Sequence, residues 1–390
     1  MNSLISNLQL EKSAMTEVDY YEIVRQKLKL GPVYAPKHKK IFELMKILWN
    51  EEEIKLLSHF EGIGKLLSAR NLAKISNLPK EIVKTIIKPL ANRGTIIKIG
   101  NQYGLLPLLP GVFELYFSVY NDTKDNLTKV AKIYRYIFNE ILPQQLITSD
   151  FTLFRPLLPY GSKEKYIKID TTVDAESQVL PYEQVEMLIN SNDLFVVKPC
   201  DCRRIGELSG EPCSVASSEL GCLFCGIAAQ LLLDYGIGKQ LTKEEAIEFL
   251  KETEKAGLVH NAANTSGPTS SLVICNCCSC HCGTLYPFKE HHITSVAPSN
   301  FAPQIDNQLC IKCETCLKKC PMGAIYHQWP NEADSSDERM IIRLDFCIGC
   351  GVCASNCKKN AITMEKVRHV IPPKHFKIGD IDLRKLLLSS

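Results

Sequence analysis

The sequence predicts an α+β protein of several domains, and three observations point there. The chain runs to 390 residues, enough for two to four ordinary hydrophobic cores. Apolar residues recur at helical spacing in some stretches and gather into short β-branched runs in others. All eighteen cysteines lie between Cys200 and Cys357, so the chain changes chemical character along its length. The divisions that follow are a lead-in at 1–37, a helix-rich module at 38–110 and a helical and α/β connecting region at 111–195. A cysteine-rich α/β domain at 196–300, a second cysteine-dense domain at 301–370 and a tail at 371–390 complete the chain.

In chain order, Lys29-Leu-Gly-Pro-Val33 breaks the amphipathic lead-in. Residues 38–60 then place Ile41, Leu44, Ile47, Leu48 and Ile54 at helical spacing. Ser68 caps a helix through Ile75, and Pro79 opens another that ends near Gly94. TIIKIGNQYGLL reads as a hairpin turning at Gly100-Asn101. Helix, helix–turn–helix, then hairpin is the order of a winged helix.

Further along, Leu127, Val130, Ile133, Ile137 and Ile141 share one helical face. YIKIDTTV and LFVVKP read as strands, with PYEQVEMLINS as the helix between them. Thr242 and Glu245 form a capping box for a helix that closes at Gly257.

Charge is nearly balanced, 46 Lys+Arg against 43 Asp+Glu, so no global field points to nucleic acid or an acidic membrane. No apolar run approaches the ~18–20 residues of a membrane span. The first residues lack the basic and apolar regions of a secretory signal, which leaves a cytoplasmic location as the expectation. In a reducing cytosol, cysteines in close pairs argue for thiolate-bound metal rather than disulfides.

The strongest pattern lies near the C-terminus. Cys310, Cys313, Cys316 and Cys320-Pro321 are spaced C-x2-C-x2-C-x3-C-P, and Cys347, Cys350, Cys353 and Cys357 repeat that spacing. Three thiolates from one tight loop can hold three irons of a cubane, and the chain must return for the fourth. Residues 301–365 closely resemble the bacterial-type dicluster ferredoxin domain, in which the fourth cysteine of each run ligates the other cluster. The expected ligand sets are Cys310, Cys313, Cys316 and Cys357 for one [4Fe–4S] cluster, and Cys347, Cys350, Cys353 and Cys320 for its neighbour. Ala324-Ile325 and Ala361-Ile362 would cover the pair, and Gly349 and Gly351 would free backbone amides to face sulfur. Lys358 replaces the usual second proline, and a polar NEADSSDE insertion, expected as an exposed loop, lengthens the connection.

Ten cysteines remain upstream: Cys200, Cys202, Cys213, Cys222, Cys225, Cys275, Cys277, Cys278, Cys280 and Cys282. They could supply two more cubanes with two thiols over, one cubane with a redox pair, or a zinc site; further iron–sulfur ligation is the leading expectation. His281, inside the loop, could ligate in place of a thiol, but a packed histidine is the preferred reading. Residues 20–365 resemble a family of 4Fe–4S ferredoxin proteins of anaerobes. Lys198-Pro199-Cys200-Asp201-Cys202-Arg203, Ile274-Cys275-Asn276-Cys277-Cys278 and Ser299-Asn300-Phe301 carry that resemblance, although the family loop often has a cysteine where this chain has His281. It implies electron transfer in anaerobic metabolism.

The expected function is therefore single-electron relay through two [4Fe–4S] clusters to or from a partner protein or an upstream metal centre. Two alternatives are a redox-responsive DNA-binding regulator and a reductase whose catalytic centre sits on the upstream cysteines. Lys80, Lys84, Lys88 and Arg93 make the second helix of the winged-helix-like module mildly basic, but Pro89 is expected to kink it and no dense basic stripe is present. A docking or structural role is preferred there over nucleic acid. Gly62–Lys65 and Gly236–Lys239 lack phosphate-loop spacing and read as turns, His260–Asn264 reads as a solvent-exposed loop, and His291-His292 carries little.

Overall fold

A computed structural model describes residues 18–30, 33–147, 152–162, 183–267, 272–330, 338–374, 377–378 and 381–382. Helix α1 (Tyr20–Lys27) is capped by Asp19. Strands β1 (Lys29–Leu30) and β2 (Val33–Tyr34) pair across the expected Gly31-Pro32 break, which itself lies outside the described residues. The apolar run at 38–60 forms two helices, α2 (Lys39–Leu48) and α3 (Glu51–Leu57). They divide at a reciprocal cap: the Asn50 side chain accepts from the Glu53 amide while Glu53 accepts from the Asn50 amide.

Strand β3 (Leu67–Ser68) leads into α4 (Ala69–Ser76), which Ser68 caps as expected, and Pro79 opens α5 (Lys80–Asn92). Strands β4 (Ile97–Ile99) and β5 (Gln102–Gly104) form the hairpin, in a three-stranded sheet ordered β3-β5-β4. Pro89 does not end α5. The Thr85 carbonyl that loses its partner lies on the exposed face with Pro89, so water can serve it.

Helix α6 (Phe113–Val119) precedes α7 (Lys124–Tyr136), which continues through a wider turn into α8 (Leu142–Ile147). Leu127, Val130, Ile133, Ile137 and Ile141 are all buried. They join one apolar core extending from Val24 to Ile141, with Phe113, Phe117, Tyr134 and Phe138 packed ring against ring inside it.

A six-stranded antiparallel sheet follows, ordered β6-β10-β11-β8-β7-β9. Its strands are β6 (Phe154–Pro156), β7 (Phe195–Lys198), β8 (Cys222–Cys225), β9 (Lys239–Leu241), β10 (Val259–Ala263) and β11 (Val273–Cys277). Helices α9 (Val185–Asn190), α10 (Asp201–Ser209), α11 (Gly226–Asp234) and α12 (Lys243–Ala256) connect successive strands from β6 to β10, and α13 (Leu285–His291) follows β11. The strand expected at YIKIDTTV lies outside the described residues. His260–Asn264, expected as an exposed loop, instead contributes to the interior strand β10, with His260 and Asn261 buried. A polar strand is tolerated there because the His260 ring meets Asn276 Oδ1 at 2.7 Å and Glu254 Oε1 at 3.0 Å.

The C-terminal unit has strands β12 (Phe301–Ile305), β13 (Ile325–Gln328), β14 (Arg339–Ile342) and β15 (Ile362–Lys366), with short helices α14 (Thr315–Lys319) and α15 (Val352–Ser355). Strand β12 pairs with β15, and β13 with β14. Residues 331–337 of the polar insertion lie outside the described residues. No helix among the described residues is long and apolar enough to cross a membrane.

Candidate metal centres

The two C-terminal cysteine runs fold alike, down to backbone detail. Each is a loop feeding a short helix, with Cys316 in α14 and Cys353 in α15. Positive φ recurs at matching places: Lys312, Glu314 and Gly323 in the first run, Gly349, Gly351 and Asn360 in the second. These left-handed residues curl the chain around a small volume and turn amides inward. The Ala324 amide meets Cys320 Sγ at 3.2 Å, and the Ala361 amide meets Cys357 Sγ at 3.3 Å. At Gly349 even a Cβ would collide with the Phe301 carbonyl, so no other residue fits.

The thiols gather across the two runs. Burial pushes the Cys316 thiol up to about 11, with the charges of Cys310 and Cys357 adding to it. Burial also raises Cys353, with Cys350, Cys347 and Cys320 as its principal charged neighbours. Cys316 and Cys353, at matching places, are both buried, but Cys313 is exposed where its counterpart Cys350 is half-buried, so the first group opens to solvent at Cys313. A cavity of about 190 Å³ opens beside the first, lined by Cys310, Cys313, Cys316, Cys357 and Met340 among others.

Upstream, six thiols form a basin in which Cys200, Cys277 and Cys282 are buried and Cys202, Cys222 and Cys275 half-buried. Cys200 lies within hydrogen-bonding reach of Cys202 and Cys222, Cys222 of Cys275, Cys275 of Cys277, and Cys277 of Cys282. Strand geometry explains much of this. Cys275 and Cys277 are two apart on β11 and so share a face. Cys200 is the N-cap of α10 and Cys202 lies in its first turn, where the positive end of the helix favours thiolate.

Charge complementarity is built in. Arg203 is fully buried and donates to the carbonyls of Ser217, Asn276 and Leu220, among the Cys200, Cys222, Cys277 and Cys278 thiols. Lys198, also buried, pairs with Asp201 and sits across the sheet from Cys222. Asn261 is wholly buried with neither amide atom in a hydrogen bond to nitrogen or oxygen, and it stands against Cys277. A thiolate-bound cluster is anionic and sulfur-rich; a buried guanidinium and an amide donor beside Cys277 suit it.

A second upstream group is smaller. The thiol sulfurs of Cys213, Cys278 and Cys280 and a ring nitrogen of His281 all lie within 4.8 Å of one another. His281, expected as a packed residue, is thus drawn into a metal-type constellation. Cys225 joins neither group: it lies three residues from Cys222 on the same strand, which turns the two thiols to opposite faces. Burial alone pushes Cys225 up to about 12, and it packs in the apolar core with Leu223 and Ile274. Sequence spacing did not signal Lys198, Arg203 or Asn261 as partners of these thiols; only the fold brings them there.

Comparison with known proteins concerns the C-terminal unit. Residues 309–362 match the 4Fe-4S dicluster domain. The pyruvate synthase subunit PorD of Methanocaldococcus jannaschii is 41% identical over 68 residues, covering 17% of this chain and 69% of that protein. PorD of Methanothermobacter marburgensis is 38% identical over 66 residues, covering 17% of this chain and 68% of its own length. The archaeal-type NADPH glutamate synthase of Dehalococcoides mccartyi is 30% identical over 67 residues, 17% of this chain but 12% of that protein. No solved structure matches the chain. Two like-folded cysteine runs and these matches agree: through its C-terminal domain the chain belongs to the 4Fe-4S dicluster ferredoxin family.

Proposed function

We propose that this protein transfers single electrons between a partner protein and an iron–sulfur centre in the six-thiol basin, by way of two C-terminal [4Fe–4S] clusters. Cys310, Cys313, Cys316 and Cys357 would hold the outer cluster, and Cys320, Cys347, Cys350 and Cys353 the inner. Cys200, Cys202, Cys222, Cys275, Cys277 and Cys282 provide more than enough thiolates for the upstream centre. Bound in these places, iron–sulfur clusters supply one-electron chemistry.

One observation carries the reading: Cys277 and Cys282 of the basin share an apolar cluster with Cys320, Cys347 and Cys350, around Leu285, Met322 and Ile348. One continuous apolar cluster therefore joins the inner C-terminal group to the basin, while Cys313 of the outer group is exposed. Leu309 and Ile311 are exposed beside the outer thiols and offer a partner an apolar contact. An anaerobic, cytoplasmic setting suits such exposed clusters, and the wider resemblance to ferredoxin proteins of anaerobes supports it. The relatives named as subunits make a protein partner the natural donor or acceptor.

Anaerobic reconstitution with iron and sulfide counted tests this. About twelve or more irons per chain are expected; about eight, four for each of two clusters, would leave the basin empty and overturn the upstream half of the reading.

The winged-helix-like module at 38–110 is proposed to dock rather than to read DNA. Arg93, counted among its basic residues, turns inward to Glu53 at 2.9 Å and the Leu48 carbonyl at 3.1 Å. The α4–α5 corner exposes Ile75, Leu78 and Ile82, an apolar surface ill suited to phosphate. A gel-shift assay at moderate salt should show no specific complex.

A further inference from the structure

We infer that Cys213, Cys278, Cys280 and His281 bind one mononuclear divalent metal ion, zinc by the nature of the donors, in a closed site separate from every iron–sulfur centre. The spacing of the ligand atoms carries this. Cys213 Sγ and Cys280 Sγ are 3.3 Å apart, and Cys280 Sγ lies 3.2 Å from His281 Nδ1. A metal–sulfur bond of about 2.3 Å places tetrahedral ligand atoms roughly 3.7 Å from one another, which is the scale seen here. Cubane thiolates bind four different irons and stand farther apart.

The imidazole is prepared for the role. His281 Nε2 lies 2.8 Å from the Glu211 carbonyl oxygen, which can only accept. Nε2 therefore carries the proton, and the Nδ1 lone pair faces the thiols. This is the outer-shell bond that orients a metal-binding histidine and fixes its tautomer. Gly206 adds an independent observation. A glycine inside a helix costs about 1 kcal/mol relative to alanine, yet α10 has one where any Cβ would overlap the His281 ring. The helix gives way so that the imidazole can sit against it.

Charge agrees as well. Three thiolates and a divalent ion sum to one negative charge, and the buried Arg203 lies near one of them, Cys278. Three sulfurs and one imidazole fill four positions and leave none open, so the site is structural rather than catalytic. It would staple the segment carrying Cys213 to the cysteine loop after β11, closing the wall of the basin.

The test is metal and sulfide analysis of the full-length chain, purified without oxygen, beside Cys280→Ser and Gly206→Ala variants. About one zinc per chain is expected in the wild type. Cys280→Ser should lose that zinc while iron and sulfide stay unchanged. Gly206→Ala, which keeps every ligand, should hold zinc tenfold or more weakly in a chelator competition, the usual scale for an outer-shell disturbance. The cobalt-substituted protein should give the intense visible bands of a tetrahedral sulfur-rich site. Loss of about four irons with their sulfide from Cys280→Ser would overturn the inference, as would a wild-type chain that retains iron but no zinc. Iron content of the wild type reports on the electron-transfer reading separately.

Discussion

The C-terminal thiols and the upstream thiols are gathered in contrasting ways. Each C-terminal group draws three sulfurs from seven consecutive residues, held by a loop whose left-handed turns recur in both runs. The basin instead collects Cys200 and Cys202 from the head of α10, Cys222 from β8, Cys275 and Cys277 from β11, and Cys282 from the turn beyond. In the first, local backbone geometry makes the site. In the second, the tertiary fold does, with Arg203 and Lys198 buried as part of the arrangement. A local site should tolerate damage to the rest of the chain; an assembled site should not.

The largest effect expected tests that difference directly. Cys353→Ser should remove about four irons, one cluster's worth, and should abolish the magnetic coupling of two neighbouring reduced clusters in the paramagnetic resonance spectrum. Cys222→Ser should leave that coupled C-terminal signal intact and lower only the iron in excess of eight. If Cys222→Ser also erased the C-terminal signal, the two regions would form one inseparable unit and the contrast would fail.

Next in size is Arg203→Met. Removing one member of a buried charged network commonly costs about 3–5 kcal/mol, because the remaining charges stay uncompensated. Denaturant unfolding of the anaerobic protein should show a loss of that order, with upstream iron lost first and C-terminal iron retained. An unchanged unfolding midpoint would mean that the thiols do not bear the charge assigned to them.

This contrast also accounts for what could be read in advance. The C-x2-C-x2-C-x3-C runs are legible because their ligands are adjacent in sequence, and the periodic helices are legible because Leu127 through Ile141 repeat at the helical interval. The partition of the upstream cysteines is not. Cys222 and Cys225 look like a metal pair by spacing, but in a strand that spacing separates them, and nothing local marks β8 as a strand rather than a loop. His260 and Asn261 look like loop residues because their partners, Glu254 and Asn276, are brought close only by the pairing of β10 with β11. The surroundings of His281 were not legible either, because Cys213, distant in sequence, completes them.

A smaller effect concerns the joint between the helical module and the basin. Burial pushes Glu114 up to about 7, opposed by the bond it accepts from the Gly111 amide at 2.5 Å, with the nearby Asp201 charge raising it further. Folding thus favours the protonated form. Below about pH 4.5 both folded and unfolded chains carry the proton and Glu114 has no effect. Between about 4.5 and 7 the unfolded chain releases it and the folded chain keeps it, so stability falls as pH rises and stays reduced above. Glu114→Gln should flatten this slope and gain at most about 3 kcal/mol at pH 8, measured by denaturant unfolding across that range. A variant that keeps the wild-type slope would place the titration elsewhere.

The smallest effect bears on whether the helix-rich module is an independent unit or part of the assembled region. Tyr235, just past α11, reaches the β4 edge of the hairpin: its hydroxyl accepts from the Lys98 amide at 2.6 Å and donates to the Lys98 carbonyl at 2.9 Å. One side chain thereby satisfies both backbone groups of an edge residue and ties the hairpin to the cysteine-rich sheet. Tyr235→Phe removes both bonds and keeps the ring, so the expected cost is about 1 kcal/mol, the net worth of a modest hydrogen-bonded pair at a partly exposed site. The sharper readout is hydrogen exchange at the Lys98 amide, which should accelerate severalfold while amides in α5 and the C-terminal unit stay as they were. A hairpin held by its own fold alone would exchange at the same rate in both proteins; a hairpin held by Tyr235 would not, and its use as a free DNA-contacting wing would first require that tie to break.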